Sequence, residues 1–300
     1  MTTLVKNWPT DHIQFVVASA DSSDIQYCQV PVADSVQGLL EEMLQTTLDA
    51  LGAGEIAEYE FAERYESVSA LQKSLEHDEL EVVRALTTVV PSDIKGAAID
   101  DSIFFYLVRF YAADGQCLTG VRRATYFKSV LKQRHRLIRI VDDTLTSVQD
   151  NLFKLDWDFD FLLTPSDVFI LRPSNFEAIA GVDEAIAVRI PEKVKDLQTR
   201  ISFLGFDTVA VAAGEKKRVA RMVASIASRT DLETIDKDLF LAHATQTHVV
   251  LNLENGRYVP TPESVRAMLE ILDRRRYHMN LSGAGEAFVA GSRQAVSAKK

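Results

Sequence analysis

Cysteine is nearly missing from this chain: Cys28 and Cys117 are the only two in 300 residues, and they form no CxxC pair. A disulfide framework is therefore excluded, and two buried structural thiols in a reducing compartment are expected. Long apolar runs are missing too. The most apolar stretch, IFFYLVRFYAA at 103–113, contains Arg109 and is far shorter than the ~20 residues a membrane-spanning helix needs. The amino terminus, MTTLVKNWPTDHIQF, has neither the positive region nor the apolar stretch of a secretory leader. The expectation is a cytoplasmic protein that reaches a membrane only through a partner. Catalytic signatures are equally scarce. No Gly-x-Ser-x-Gly elbow, Cys/His motif or GxGxxG after a strand occurs, and the histidines show no HExxH spacing. Neither an enzymatic activity nor a cofactor is expected.

What the chain does have is a core and an uneven charge. Hydrophobic residues make up 47% of it, enough for a substantial interior, and the net charge is −10. Residues 1–100 hold five Lys and Arg against 18 Asp and Glu, a balance of −13, whereas the remaining 200 hold 28 against 25. One end repels polyanions; the other has its cations gathered in clusters.

The pattern along the chain predicts an α+β fold, a mixed sheet with strand hairpins and a largely helical second half. IQFVVAS (13–19) and IQYCQVPV (25–32) read as a hairpin around a polar turn. From Asp34 to Leu51 an apolar stripe of Val36, Leu39, Leu40, Met43, Leu44, Leu48 and Leu51 has helical spacing. Residues 66–89 carry a mixed pattern, and 103–112 and 116–123 suggest two strands around Ala113-Asp114-Gly115. FKLDWDFDFLL and DVFILRP read as strands, SNFEAI as a helix start, and 184–246 as largely helical, with Val219, Met222, Val223 and Ile226 on one buried face. Asn255-Gly256 between strand-like runs is a strong hairpin signal. TPESVRAMLEILDRRR follows, with Thr261 or Ser264 as the cap and a stripe of Val265, Met268, Leu269 and Leu272. SRQAVSAKK reads as a frayed basic tail. A boundary near 145 would give a mixed domain over 1–145 and a second domain over 146–300.

Three cationic clusters stand out. VRRATYFKSVLKQRHRLIR (121–139) contains Arg122, Arg123, Lys128, Lys132, Arg134, Arg136 and Arg139 without one carboxylate. As a helix it would align Lys128, Lys132 and Arg136; as a strand, Arg134 and Arg136 would still share a face. Either row suits a phosphate backbone, while acids of the first hundred residues could equally neutralise it. In GEKKRVARMVASIASR (214–229), Lys216, Lys217 and Arg218 sit in the first turn of an expected helix with Arg221 one turn on. The macrodipole disfavours cations there, and a bound anion would reverse that penalty; Glu215 and distant acids are the alternative. TVAVAAGEKKR lacks the spacing of a phosphate-binding loop. Arg274, Arg275 and Arg276 close a helix, where cations are favourable without any ligand.

LDWDFDF places Asp156, Asp158 and Asp160 on one face of an expected strand, with Trp157, Phe159 and Phe161 on the other. The simple reading is a half-buried strand whose acidic side is solvated; the sharper one is a metal site for nuclease chemistry.

NLFKLDWDFDFLLTPSDVFILRPSNFEAIAG and NLENGRYVPTPESVRAMLEILDRRRYHMNLSGAGEAFVAGSR resemble the family defined by KwaB, the cytosolic component of the Kiwa anti-phage system. The resemblance covers about residues 100–292 and is one of pattern and spacing. Phe288 stands where members more often carry Tyr, and the first hundred residues match only in outline. The resemblance implies a DNA-binding effector that works with a small membrane protein, KwaA, and that self-associates as a homodimer or higher homo-oligomer. It transfers no DNA-contact residues. Charge alone nominates Arg122, Arg123, Lys128, Lys132, Arg134, Arg136, Arg139, Lys216, Lys217, Arg218 and Arg221. The expected function is sequence-independent DNA binding in anti-phage defence; a metal-dependent nuclease and an interaction scaffold are the rival readings.

Overall fold

The computed structural model describes residues 7–21, 24–62, 70–93, 103–124, 138–141, 144–147, 154–280 and 285–290. They divide into two compact units, Met1–Glu58 with Val68–Ala180, and Tyr59–Ser67 with Gly181–Lys300. The division falls at Ala180/Gly181 and not near 145. Two strands beyond 145, described next, are hydrogen-bonded into the sheet of the first unit.

That sheet has nine strands: β1 (His12–Asp21), β2 (Asp24–Val30), β3 (Ile56–Glu58), β4 (Ala70–Ser74), β5 (Ser92–Asp93), β6 (Ile103–Tyr111), β7 (Cys117–Arg123), β10 (Phe161–Leu163) and β11 (Asp167–Ile170). A separate hairpin is formed by β8 (Ile138–Val141) and β9 (Thr144–Ser147). The sheet order is β3-β4-β11-β10-β7-β6-β1-β2-β5. Pairing is antiparallel except between β3 and β4 and between β2 and β5. The expected hairpins β1/β2 and β6/β7 are both present, the second turning at Gly115, whose φ of +84° suits glycine.

Strand β6 is buried over nearly its whole length, because both faces of the sheet are covered. On one face lies helix α1 (Asp34–Gly52), which packs Leu40, Met43, Leu44, Leu48 and Leu51 against Phe15, Val17, Tyr106, Val108, Phe110, Leu118 and Leu162. Of the expected stripe, Leu39 points to solvent and Val36 is half-buried. The residues that alternate with these face the other way. Phe161 meets Phe176 of α3 (Pro173–Ala180) edge-on at 5.3 Å. Buried Arg109 donates to the carbonyls of Leu86 and Val89, just beyond the short α2 (Glu81–Ala85). The mixed pattern at 66–89 resolves, within its described part, into β4, a 3-10 turn (Asp78–Leu80) and α2.

LDWDFDF is not a strand: β10 begins only at Phe161. The carboxylates expected to face water are drawn inward, as set out below. Phe159 is fully buried and its ring lies over Gly120 of β7.

The second unit is mainly helical: α4 (Val182–Arg200), α5 (Asp207–Glu215), α6 (Lys217–Ala227), a 3-10 turn (Leu232–Thr234), α7 (Lys237–Gln246) and α8 (Val265–Leu272), with hairpins β12/β13 (Leu251–Glu254, Arg257–Pro260) and β14/β15 (Arg276–Met279, Glu286–Val289). The stripes of α6 and α8 are buried as their spacing demands. Asn255 and Gly256 have φ of +48° and +77°, the two positive values of a type I′ turn. The cap of α8 departs from expectation. Ser264 Oγ donates to the carbonyls of Val250 and Thr261 and makes no cap to the helix N–H groups. The tail from 292 lies outside the described residues. Together the units make an α+β protein.

A Cβ at Gly120 would sit 2.6 Å from the Phe159 ring, and that ring is enclosed by α1 and the sheet. Gly120→Ala is therefore expected to destabilise the first unit by roughly 1–3 kcal/mol, read as a lowered urea midpoint or melting temperature.

Candidate nucleic-acid interface

The basic segment that starts in β7 is rooted in a network of charges. Arg122 Nε lies 3.2 Å from Asp156 Oδ2, and its Nη1 lies 3.2 Å from Asp158 Oδ1 and 3.0 Å from Asp160 Oδ1. Arg172, just beyond β11, reaches Asp158 Oδ2 at 2.6 Å and Asp160 Oδ1 at 3.5 Å and donates to the Phe159 carbonyl. Lys154 Nζ completes the set at 2.8 Å from Asp156. Three carboxylates meet three cations, so the cage is formally neutral. The Arg122 side chain is 12% exposed and that of Asp160 0%, so neither charge could stand there alone.

The backbone locks the same residues together. Asp160 N–H donates to the Val121 carbonyl, and the Asp160 carbonyl accepts from Leu171 and Arg172. Asp160 Oδ2 accepts the Arg123 N–H at 2.7 Å. Burial alone would raise the Asp156 carboxyl, but the hydrogen bond from Lys154 and the Arg122 charge outweigh it and hold the group below the ordinary aspartate range. For Arg172 burial pulls down, and the bond and charge of Asp158 prevail, raising it.

Arg122, nominated as a phosphate contact, is thus a structural cation. Arg123 is different: its side chain is exposed, with the guanidinium 5.8 Å from the Phe104 ring centroid. Lys128, Lys132, Arg134 and Arg136 lie outside the described residues, and Arg139 lies in β8 opposite Thr146.

In the second unit, the carboxylate of Asp183 in the first turn of α4 takes Lys217 at 3.0 Å and Arg221 at 2.7 Å. An acid at one helix start offsets cations at another, and no bound phosphate is required for either. Burial would raise Asp183; the bonds from Arg221 and Lys217 win and lower it. Lys217 keeps 75% of its side chain exposed, and Lys216 and Arg218 are also exposed. The two clusters belong to different units. The triple arginine is engaged within its own unit, by carboxylates and carbonyls as well as by its place at a helix end: Arg274 bonds Asp231, Arg275 bonds Asp273 and the Ala62 carbonyl, and Arg276 bonds Glu270 and the Thr247 carbonyl.

Among the described residues no group of three or more His, Cys, Asp or Glu is placed to hold a metal ion. Asp156, Asp158 and Asp160 are directed at guanidinium and ammonium groups. No helix among the described residues is long and apolar enough to cross a membrane.

Residues 100–281 match the family model described as Kiwa protein KwaB-like. The chain belongs to the KwaB-like family. The match takes in β6, β7, the charge cage and nearly all of the described second unit. No curated protein and no solved structure matches the chain. Membership gives this KwaB-like chain a role in Kiwa anti-phage defence.

Charge reasoning missed Arg172 and Lys154. Arg172 lies among apolar residues at the end of DVFILRP, where nothing local marks it as the partner of an aspartate 14 residues back. Lys154 is separated from Asp156 by a single residue and could have been paired with it from the sequence.

Two outcomes are expected. Arg122→Ala, which leaves Asp160 buried with weakened compensation, should cost roughly 3–5 kcal/mol in urea unfolding, whereas Arg123→Ala should cost under about 0.5 kcal/mol. Carboxylates lowered in the folded state stabilise it above their unfolded range and lose that contribution as pH falls through the folded values. Asp156 and Asp183 are lowered, and hydrogen bonds from Arg229 bring Asp231 from 3.8 to about 2. Stability should therefore fall as pH drops below about 4, and Asp156→Asn and Asp231→Asn should flatten the profile of urea midpoint against pH.

Proposed function

We propose that this KwaB-like chain binds DNA along the phosphate backbone without sequence preference, as a homodimer or higher homo-oligomer working with a KwaA-like membrane partner. The observation that carries the reading is the engagement of Asp156, Asp158 and Asp160 by Arg122, Arg172 and Lys154. These acids are already matched by cations of their own, so they do not offset the run from Arg123 to Arg139, which has no carboxylate of its own. Regular phosphates are the ligand such a run suits. Arg123, Lys128, Lys132, Arg134, Arg136 and Arg139 form the proposed contact set, joined by the exposed Lys216, Lys217 and Arg218 of the second unit; Arg221 shares Asp183 with Lys217 and contributes less.

The acidic first hundred residues support the same division of labour. Their carboxylates repel DNA and have the sign that meets the Lys- and Arg-rich cytoplasmic loops of a membrane protein. A cytoplasmic chain recruited to the inner membrane by such a partner follows from this reading.

Fluorescence anisotropy on random-sequence duplexes tests it. With roughly six to eight phosphates engaged, log K should fall against log salt with a slope of roughly −5 to −7. The triple variant Lys128→Glu, Lys132→Glu, Arg136→Glu should make that slope shallower by roughly 2–3 and weaken all sequences alike. Undetectable or salt-insensitive binding rejects the proposal.

A further inference from the structure

Trp157 is the most exposed aromatic among the described residues, with 77% of its surface open. An exposed apolar side chain is ordinary on a mobile loop, but Trp157 lies on a segment held from both sides. Asp156 is fixed by Lys154 and Arg122, and Asp158 by Arg122 and Arg172. Phe159 donates its N–H to Thr47 Oγ1 at 2.9 Å, gives its carbonyl to Arg172, and sets its ring edge-on to Phe110 at 6.0 Å. The chain bends at Trp157 and Asp158; the aspartates on either side turn into the cage and the indole between them turns to water. It is presented outward from a backbone fixed on both sides.

The electrostatics around it are permissive. Two aspartates adjoining a tryptophan would ordinarily repel a polyanion, yet here three cations cancel the three carboxylates. Lys154 and Arg172 also keep 40% and 38% of their side chains exposed. The cage is moreover tied to the root of the basic segment, since Asp160 accepts the Arg123 N–H.

We propose that Trp157 is a stacking platform for an unpaired nucleobase, so that the site prefers single-stranded DNA to duplex. This rests on the DNA-binding reading above and adds the form of the ligand. In a duplex both faces of each base are covered by its neighbours, and an indole meets only edges. An unstacked base offers a free face whatever its identity, so the platform adds affinity without sequence preference. One such contact corresponds to about 5- to 150-fold in affinity.

The chain has two tryptophans, so in full-length Trp8→Phe protein the emission comes from Trp157 alone. The probes are an oligothymidylate and a blunt duplex of equal length at fixed low salt. Oligothymidylate is expected to quench the emission while the duplex leaves it unchanged. Trp157→Ala, at an exposed position that should not disturb folding, is expected to weaken oligothymidylate binding about 5- to 150-fold, with duplex affinity and salt slope kept. Trp157→Phe should retain most of the single-strand affinity. The affinities of the Trp157 variants can be measured with Trp8 in place, should Trp8→Phe disturb the fold. Oligothymidylate binding with unmoved emission, an equal loss for both DNA forms, or an emission change driven by protein concentration without DNA overturns the platform. If duplex binds with its full salt slope and Trp157 is silent, only this inference falls; if neither DNA form binds, the DNA-binding reading falls with it.

Discussion

The contact on which the first unit turns is the hold of Arg122 on Asp156, Asp158 and Asp160. One guanidinium spans three carboxylates at 156, 158 and 160, and Arg172 and Lys154 bond further oxygens of Asp158 and Asp156. Neither Arg122 nor Asp160 would be tolerated at its burial singly. Taken together they dock the approach to β10 against β7, set the Phe159 ring over Gly120, and carry the end of β7 outward at Arg123. An acidic strand with a wet face would have none of these consequences.

The same contact organises the protein's charge. A net of −10 conceals an acidic first hundred residues and a remainder slightly in cationic excess, and the structure divides that excess further. Cations with local partners hold the fold: Arg122, Arg172, Arg221 and the three arginines after α8 all bond groups within their own unit. Arg123 and Lys216, by contrast, have exposed side chains.

Helix ends show how little a cluster of like charge says alone. Arg274, Arg275 and Arg276 are as dense as the group at 216–218, and each has a partner close to the helix they follow. At the start of α6 the sign is unfavourable, and the compensating acid, Asp183, comes from a different helix 34 residues earlier. Of the two expected sources of compensation, Glu215 and distant acids, it is a distant acid that bonds Lys217 and Arg221, because compensation follows spatial neighbourhood.

Hairpins β1/β2, β6/β7 and β12/β13, the buried stripes of α1, α6 and α8, and the α+β class were legible in the sequence, as was the family resemblance. Periodicity and turn chemistry act over a few residues and need no knowledge of what lies opposite. The tertiary structure alone decided that β10 and β11 belong with the first hundred residues, that Asp156, Asp158 and Asp160 face guanidinium groups, and that Arg122 serves the fold while Arg123 faces solvent. Those outcomes depend on pairs distant in sequence: Arg122 and Asp160 are 38 residues apart, and Asp167, whose strand pairs with β4, is 95 residues from its partner Gln72. Residue types set a charge's sign, but only the folded path of the chain determines which opposite charge comes within bonding distance.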